Sequence, residues 1–281
     1  MTIRRPIGVT SASGRTGSEV VSALLGRCAP VVALTRHPIS GSCEWRRFDW
    51  NDPSTHHDAL GGLATLYVST PARVDPAEVE AVLSAALSAG VERVVQLSAV
   101  GAEEMERLPH ARIERAIEAS GVPSLVVRAN WFFENFTHPP LSTWIERDGA
   151  LVSCAGDAAV SIIGSHDVAR ALAAALLDDD RVGRLELTGP RAERLSDVAA
   201  WIGRTIHRRV RLVTLDPEQF VGKLIADGVP APVVPILTQM FAQVGSASSA
   251  RVTDAVEQLT GSPPAAVEYL CGTYTTAPAT G

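Results

Sequence analysis

At 281 residues, 46% of them hydrophobic and 20% charged, the chain has enough apolar material for one domain plus a lobe with a sizeable core. A net charge of −6, with basic residues clustered only in the short stretch 204–211 and no aromatics interleaved there, excludes a nucleic-acid partner. No apolar run has the length of a membrane span or the layout of a secretory signal; the four scattered cysteines (Cys28, Cys43, Cys154, Cys271) lack a C-x-x-C pair, and His56-His57 lacks ligand-spaced partners, so we expect a cytoplasmic protein with reduced thiols, no membrane contact and no metal.

Apolar runs and helical patterns alternate through the first half. The pattern predicts strands over 7–10, 30–35, 45–48, 63–69, 94–97 and 124–129. Between them it predicts helices over 17–25, 54–60, 76–89 and 111–120, the last two stopped by Gly90 and Gly121. Alternation of this kind implies an α/β fold, a Rossmann-type doubly wound parallel sheet whose strand C-termini line one ligand-binding edge. Beyond Asn130 an aromatic cluster is broken by Thr137-His138-Pro139-Pro140, and short strands over 160–164 and 184–188 flank a helix over 167–177. Helices over 196–205, 217–226, 233–244 and 252–259 and a last turn near Val267 follow. The expected division is a dinucleotide-binding domain over 1–155, with segments near 160–190 returning to the sheet, and a smaller, mainly helical C-terminal substrate lobe over 191–281.

Ser11-Ala12-Ser13-Gly14-Arg15-Thr16-Gly17 joins the first strand to the first helix. Such a turn aims backbone N–H groups and a helix N-terminus at one point, which suits a diphosphate; a strand–turn–helix without a ligand is the bland alternative. Ser11 stands where the first glycine of the usual motif would be, a replacement that works if its φ is negative. Ser11, Ser13, Gly14, Arg15, Thr16 and Gly17 are therefore the expected phosphate contacts. After the second strand comes Thr35-Arg36-His37, with no carboxylate before Glu44. A guanidinium there suits the 2′-phosphate of NADP(H), with Arg15 as a second cation; otherwise Arg36 is an exposed loop charge.

Longer stretches carry a family resemblance. Arg93-Val94-Val95-Gln96-Leu97-Ser98-Ala99-Val100-Gly101-Ala102, Ile113-Glu114-Arg115-Ala116-Ile117-Glu118-Ala119-Ser120-Gly121-Val122-Pro123 and Leu187-Thr188-Gly189-Pro190 resemble segments of the NmrA-like atypical short-chain dehydrogenases/reductases. Arg128-Ala129-Asn130-Trp131-Phe132-Phe133-Glu134-Asn135 resembles that group's R-P-x-x-F-M-E-N segment, with Ala129 replacing the proline. Arg47-Phe48-Asp49-Trp50 and Tyr67-Val68-Ser69-Thr70-Pro71 look most like the ergot-alkaloid subgroup, reductases of iminium intermediates. The resemblance implies an NADPH-binding Rossmann domain and a small helical substrate lobe. The group spans isoflavone-reductase-like enzymes, quinone reductases, iminium reductases and non-catalytic redox sensors, so it fixes the fold better than the function.

In such folds Asp49 and Trp50 fall near the adenine, where Asp49 either accepts from the amino group or caps the turn before Pro53. Ser69, Thr70 and Pro71 fall near the nicotinamide ribose, and Ser98 beneath the nicotinamide, where a serine of the wider superfamily orients a substrate carbonyl. The superfamily's Tyr-x-x-x-Lys acid is impossible here: four residues after Tyr67, Tyr269 and Tyr274 stand Pro71, Thr273 and Pro278, and Lys223 is the only lysine. Alignment of the following helix puts His110 at the lysine position of isoflavone-reductase-like enzymes, as a substrate contact or a proton donor near neutrality, with Glu114 one turn on to hold its ring. Asn130, Trp131, Phe132 and Phe133, with Met240 and Phe241, are the expected substrate residues. Hydride addition to C=N⁺ needs no proton in the same step, whereas a ketone's alkoxide must be stabilised. The expectation is thus an NADPH-dependent reductase of a small C=N or conjugated C=C/quinone substrate, monomeric or homodimeric. The alternatives are a non-catalytic NADP(H) redox sensor and a non-redox cyclase or isomerase.

Overall fold

The computed structural model describes residues 5–39, 41, 43–71, 74–105 and 109–275. The chain runs β1 (Ile7–Thr10), α1 (Arg15–Leu25), β2 (Val31–Thr35), β3 (Glu44–Arg47), α2 (His56–Leu60), β4 (Thr65–Val68), α3 (Pro76–Ser88), β5 (Arg93–Ala99), α4 (His110–Ala119) and β6 (Ser124–Ala129). It continues through α5 (Leu141–Asp148), β7 (Ala150–Ser153), β8 (Ala159–Val160), α6 (Ser165–Leu177), β9 (Gly183–Leu187), β10 (Glu193–Arg194) and α7 (Leu195–Thr205). The last elements are β11 (Arg211–Thr214), α8 (Pro217–Ala226), α9 (Val234–Val244), α10 (Ala255–Thr260) and α11 (Val267–Gly272).

One seven-stranded sheet has the order β3-β2-β1-β4-β5-β6-β9. The pairings from β3 through β5 are parallel, with Val9 opposite both Ala33 and Tyr67. β1, β2 and β4 are buried on both faces and read as unbroken apolar runs for that reason. The strand order turns back at β1, whose neighbours are β2 and β4, so the loops after these strands open at one crevice. This is the doubly wound α/β fold expected from the alternation.

Contacts divide the chain into two compact units. The first takes residues 1–102, 108–128 and 165–186; the second takes 103–107, 129–164 and 187–281. The segment 129–164 thus groups with the second unit, whereas the pattern placed the boundary at 155. In the first unit Val79, Val82 and Leu83 of α3 pack with Ile113 and Ile117 of α4 over Leu66 and Val94. α3 begins with a complete capping box, in which the Asp75 side chain and Glu78 each take the other's backbone N–H. α1 and α6 pack closely against one another.

The second unit has two small sheets, parallel β7–β11 and antiparallel β8–β10. Its core gathers Trp144 of α5, Phe220 of α8 and Phe241 of α9. α5, β7 and β11 are elements that the pattern did not predict. The strand expected over 160–164 is only Ala159–Val160, and the helix expected over 252–259 is Ala255–Thr260.

Candidate functional site

The first unit holds a cleft of about 380 Å³ at the crevice beside β1, lined by Ser11, Ser13, Gly14, Arg36, Asp49 and Pro71 among others. Its end is the N-terminus of α1. Gly14 is the N-cap and offers no side chain, and the first turn holds no acid. The N–H groups of that turn are therefore left for an outside acceptor, and the helix dipole favours an anion there. Gly17 is required by packing: a Cβ would lie 2.1 Å from the Ser11 carbonyl oxygen.

Ser11 corrects the expectation of a negative φ. Its φ is +52°, so it adopts the left-handed conformation a glycine would take. A polar stitch holds it there: Ser11 Oγ donates to the Ser69 carbonyl at 2.7 Å. Thr10 Oγ1 donates to the Tyr67 carbonyl at 2.9 Å and accepts from Ser69 N–H at 2.9 Å. Both backbone groups of Ser69 are thus tied to the turn after β1, and its neighbour Thr70 is half-buried.

Arg36 and Arg15 are exposed, and neither guanidinium has a hydrogen bond or ion pair among the described residues. Most arginines around them are paired, Arg46 with Glu44 and Arg47 with Asp52 for instance. Asp49 caps its turn: Oδ1 accepts from Asn51 N–H at 3.1 Å, while its carbonyl accepts from His56 Nε2 at 2.8 Å. Trp50 is a core side chain, edge-on to Phe48 at 5.2 Å, and meets the cleft only as part of its floor. Thr16 and Gly17 do not line the cleft with side chains. An uncapped helix start, an acid-free turn, a glycine in close packing and two unpaired arginines fit a dinucleotide carrying an extra phosphate.

Ser98 is the next-to-last residue of β5, inside the strand rather than after it. It is buried between β5 and α4, and Oγ donates to Glu114 Oε1 at 2.5 Å. Arg128 of β6 binds the same carboxylate with both arms, Nε to Oε1 at 3.0 Å and Nη2 to Oε2 at 2.7 Å. Glu114 makes no hydrogen bond to His110, whose Nδ1 is buried without a hydrogen-bond partner among the described residues. Burial pushes the His110 ring below the ordinary histidine range, against the pull of the Glu114 carboxylate, so it is neutral at neutral pH rather than a ready acid. Arg128 is the residue missed by function-directed reading; the signal was a lone charge in the apolar strand Ser124–Ala129, which demands a buried partner.

In the second unit the aromatic cluster splits. Phe133, an expected substrate residue, is core, with its ring centroid 6.0 Å from that of the equally buried Phe136. Phe241 is also core, between Trp131 at 5.1 Å and Phe220 at 5.0 Å. Asn130 has no polar atom to spare: its amide donates to Ser161 Oγ and the Ser249 carbonyl, and Oδ1 accepts from Trp131 N–H. Trp131, Phe132 and Met240 stay half-buried, and Trp131 Nε1 lacks a partner among the described residues. Lys223 donates to Asp227 at 2.9 Å and lies 5.1 Å over the Trp144 ring, while Tyr274 donates to the Phe136 carbonyl.

A doubly wound sheet with a phosphate-type turn at its switch point defines a nucleotide-binding α/β protein. The chain belongs to the NmrA-like family, whose model matches residues 4–270. It is 28% identical over 266 residues to the uncharacterized oxidoreductase YesF of Bacillus subtilis, covering 93% of this chain and 92% of that one. It is 29% identical over 275 residues to agroclavine dehydrogenase of Claviceps fusiformis, covering 91% and 92%. The NADPH-dependent quinone oxidoreductase QOR2 of Escherichia coli, solved with NADPH, superposes with a TM-score of 0.83 at 23% identity, covering 95% and 99%.

Proposed function

We propose that this chain is an NADPH-dependent reductase that delivers hydride to a C=N bond or to a conjugated C=C or quinone of a small substrate, without a tyrosine–lysine pair. The observation that carries the reading is the unpaired guanidinium of Arg36 in the wall of a cleft that ends on an uncapped helix N-terminus, with the unpaired Arg15 as the first residue of that helix. The oxidoreductase names of the relatives support it, agroclavine dehydrogenase among them.

On this reading the turn from Ser11 to Gly17 holds the diphosphate, and Arg36 with Arg15 takes the 2′-phosphate as a charge-assisted pair. Asp49 borders the adenosine, and Thr70 and Pro71 meet the nicotinamide ribose. When bound, the reduced nicotinamide supplies the hydride. Within the first unit the side chain left for the substrate is His110, whose task is orientation in dry surroundings. A neutral His110 serves as a hydrogen-bond partner, which suffices when the electrophile is already cationic.

The test follows NADPH absorbance with a panel of cyclic imines, quinones, enones and simple ketones. Turnover of an imine, quinone or enone, with ketones left alone, is the expected result. Silence across the whole panel, or no binding of NADPH at millimolar concentration, overturns the reading.

A further inference from the structure

Glu114 follows His110 by one turn of α4, the spacing at which a carboxylate ordinarily meets an imidazole. The contact is not made. Glu114 is 2% exposed, and both of its oxygens are occupied: Oε1 by Ser98 Oγ and Arg128 Nε, Oε2 by Arg128 Nη2. The guanidinium fork fixes the plane of the carboxylate as well as its position. One turn away His110 Nδ1 is buried with no hydrogen-bond partner among the described residues, a state that costs free energy unless something bound to the protein relieves it.

We infer that Arg128 and Ser98 are positioning residues for His110: by drawing the Glu114 carboxylate against the sheet they withhold it from the ring and leave Nδ1 to meet a polar atom of the substrate. The inference rests on the proposed placing of His110 at the substrate, and it narrows the substrate class. A molecule with nitrogen or oxygen at or conjugated to the reducible bond can satisfy Nδ1. A plain hydrocarbon double bond leaves it unsatisfied and is rejected.

The test uses the full chain and two kinds of reading. Long-range ¹H–¹⁵N spectra of the histidine rings are recorded for the wild type, Ser98→Ala and Arg128→Lys, with His110→Asn to assign the signal. Steady-state kinetics with NADPH and a reducible imine or quinone are measured on the same proteins and on the Ser98→Ala/His110→Asn double variant. Ser98→Ala removes one of the two donors on Oε1 and opens an acceptor position there, and Arg128→Lys undoes the fork, so the His110 Nδ1 signal moves to that of a protonated, carboxylate-bound nitrogen. Turnover then falls about tenfold with the KM for NADPH unchanged, and Ser98→Ala costs nothing further once His110 is gone. An unmoved Nδ1 signal in Ser98→Ala overturns the inference, as does an equal loss from Ser98→Ala with and without His110. Should Arg128→Lys fail to fold, Ser98→Ala, which removes one neutral hydroxyl, decides alone. A protein that shows the spectral change but reduces nothing keeps the clamp and sinks the reductase reading instead.

Discussion

Arg36 and Glu114 show how a side chain's role depends on what else claims it. Arg36 has no protein partner among the described residues, so its charge is available. Arg36→Ala is expected to weaken NADPH binding by about 10- to 100-fold, the worth of one or two charge-assisted bonds, and to leave NADH binding unchanged. Titration calorimetry with both nucleotides checks it. Arg128→Met strands the Glu114 carboxylate in a buried site and should cost about 3–5 kcal/mol of stability by chemical denaturation. His110 carries a pH signature. Its folded ring binds a proton less readily than the unfolded one, so its contribution to stability is complete above the ordinary value of 6.5. As pH falls below that point the unfolded chain takes the proton first, and stability declines. Urea midpoints measured from about pH 7.5 down to about pH 5 should fall less steeply in His110→Asn than in the wild type. Arg36 was legible because its neighbourhood is local: a strand end, an arginine, and no acid before Glu44. The fate of Glu114 was not, because its partners arrive from β5 and β6, and no short window of sequence contains all three.

Among the elements, the turn between β1 and α1 is the most demanding piece of backbone. Gly17→Ala puts a methyl group on the Ser11 carbonyl and should lower stability by about 1–3 kcal/mol while abolishing nucleotide binding, read from thermal melts with and without NADPH. The start of α3 is a milder case. Asp75→Ala removes one half of a capping box and should cost about 1 kcal/mol with NADPH affinity intact. The glycine turn and the six strands from 7 to 129 could be read directly, since each follows from periodicity and turn chemistry. The left-handed Ser11 could not, because the bond that secures it reaches 58 residues ahead to Ser69. β7 and β11 escaped for the same reason: four-residue strands declare themselves only when paired, and their partners lie some sixty positions apart. α5 was hidden behind the proline pair at 139–140, which reads as a break but here precedes the helix.

At the scale of the whole molecule, the lone lysine offers a clean contrast with the lysine-dependent members of the wider superfamily. Lys223 is committed to Asp227, whose carboxyl is held down at about 2 by bonds from Lys223, Trp144 and Arg147. Lys223→Met should therefore leave turnover unchanged while lowering stability by about 1 kcal/mol or less. The molecule is also threaded rather than tandem: α6 and β9 of the first unit come after 36 residues that belong to the second. During synthesis, α1 must wait with one apolar flank uncovered until the ribosome has passed the segment at 165–186. A polypeptide released at 155 is then an orphan with a sticky side, prone to chaperone capture and clumping, whereas an evolutionary exchange of the second unit between such proteins would need a crossover at each of the five points where the chain passes from one unit to the other, not one.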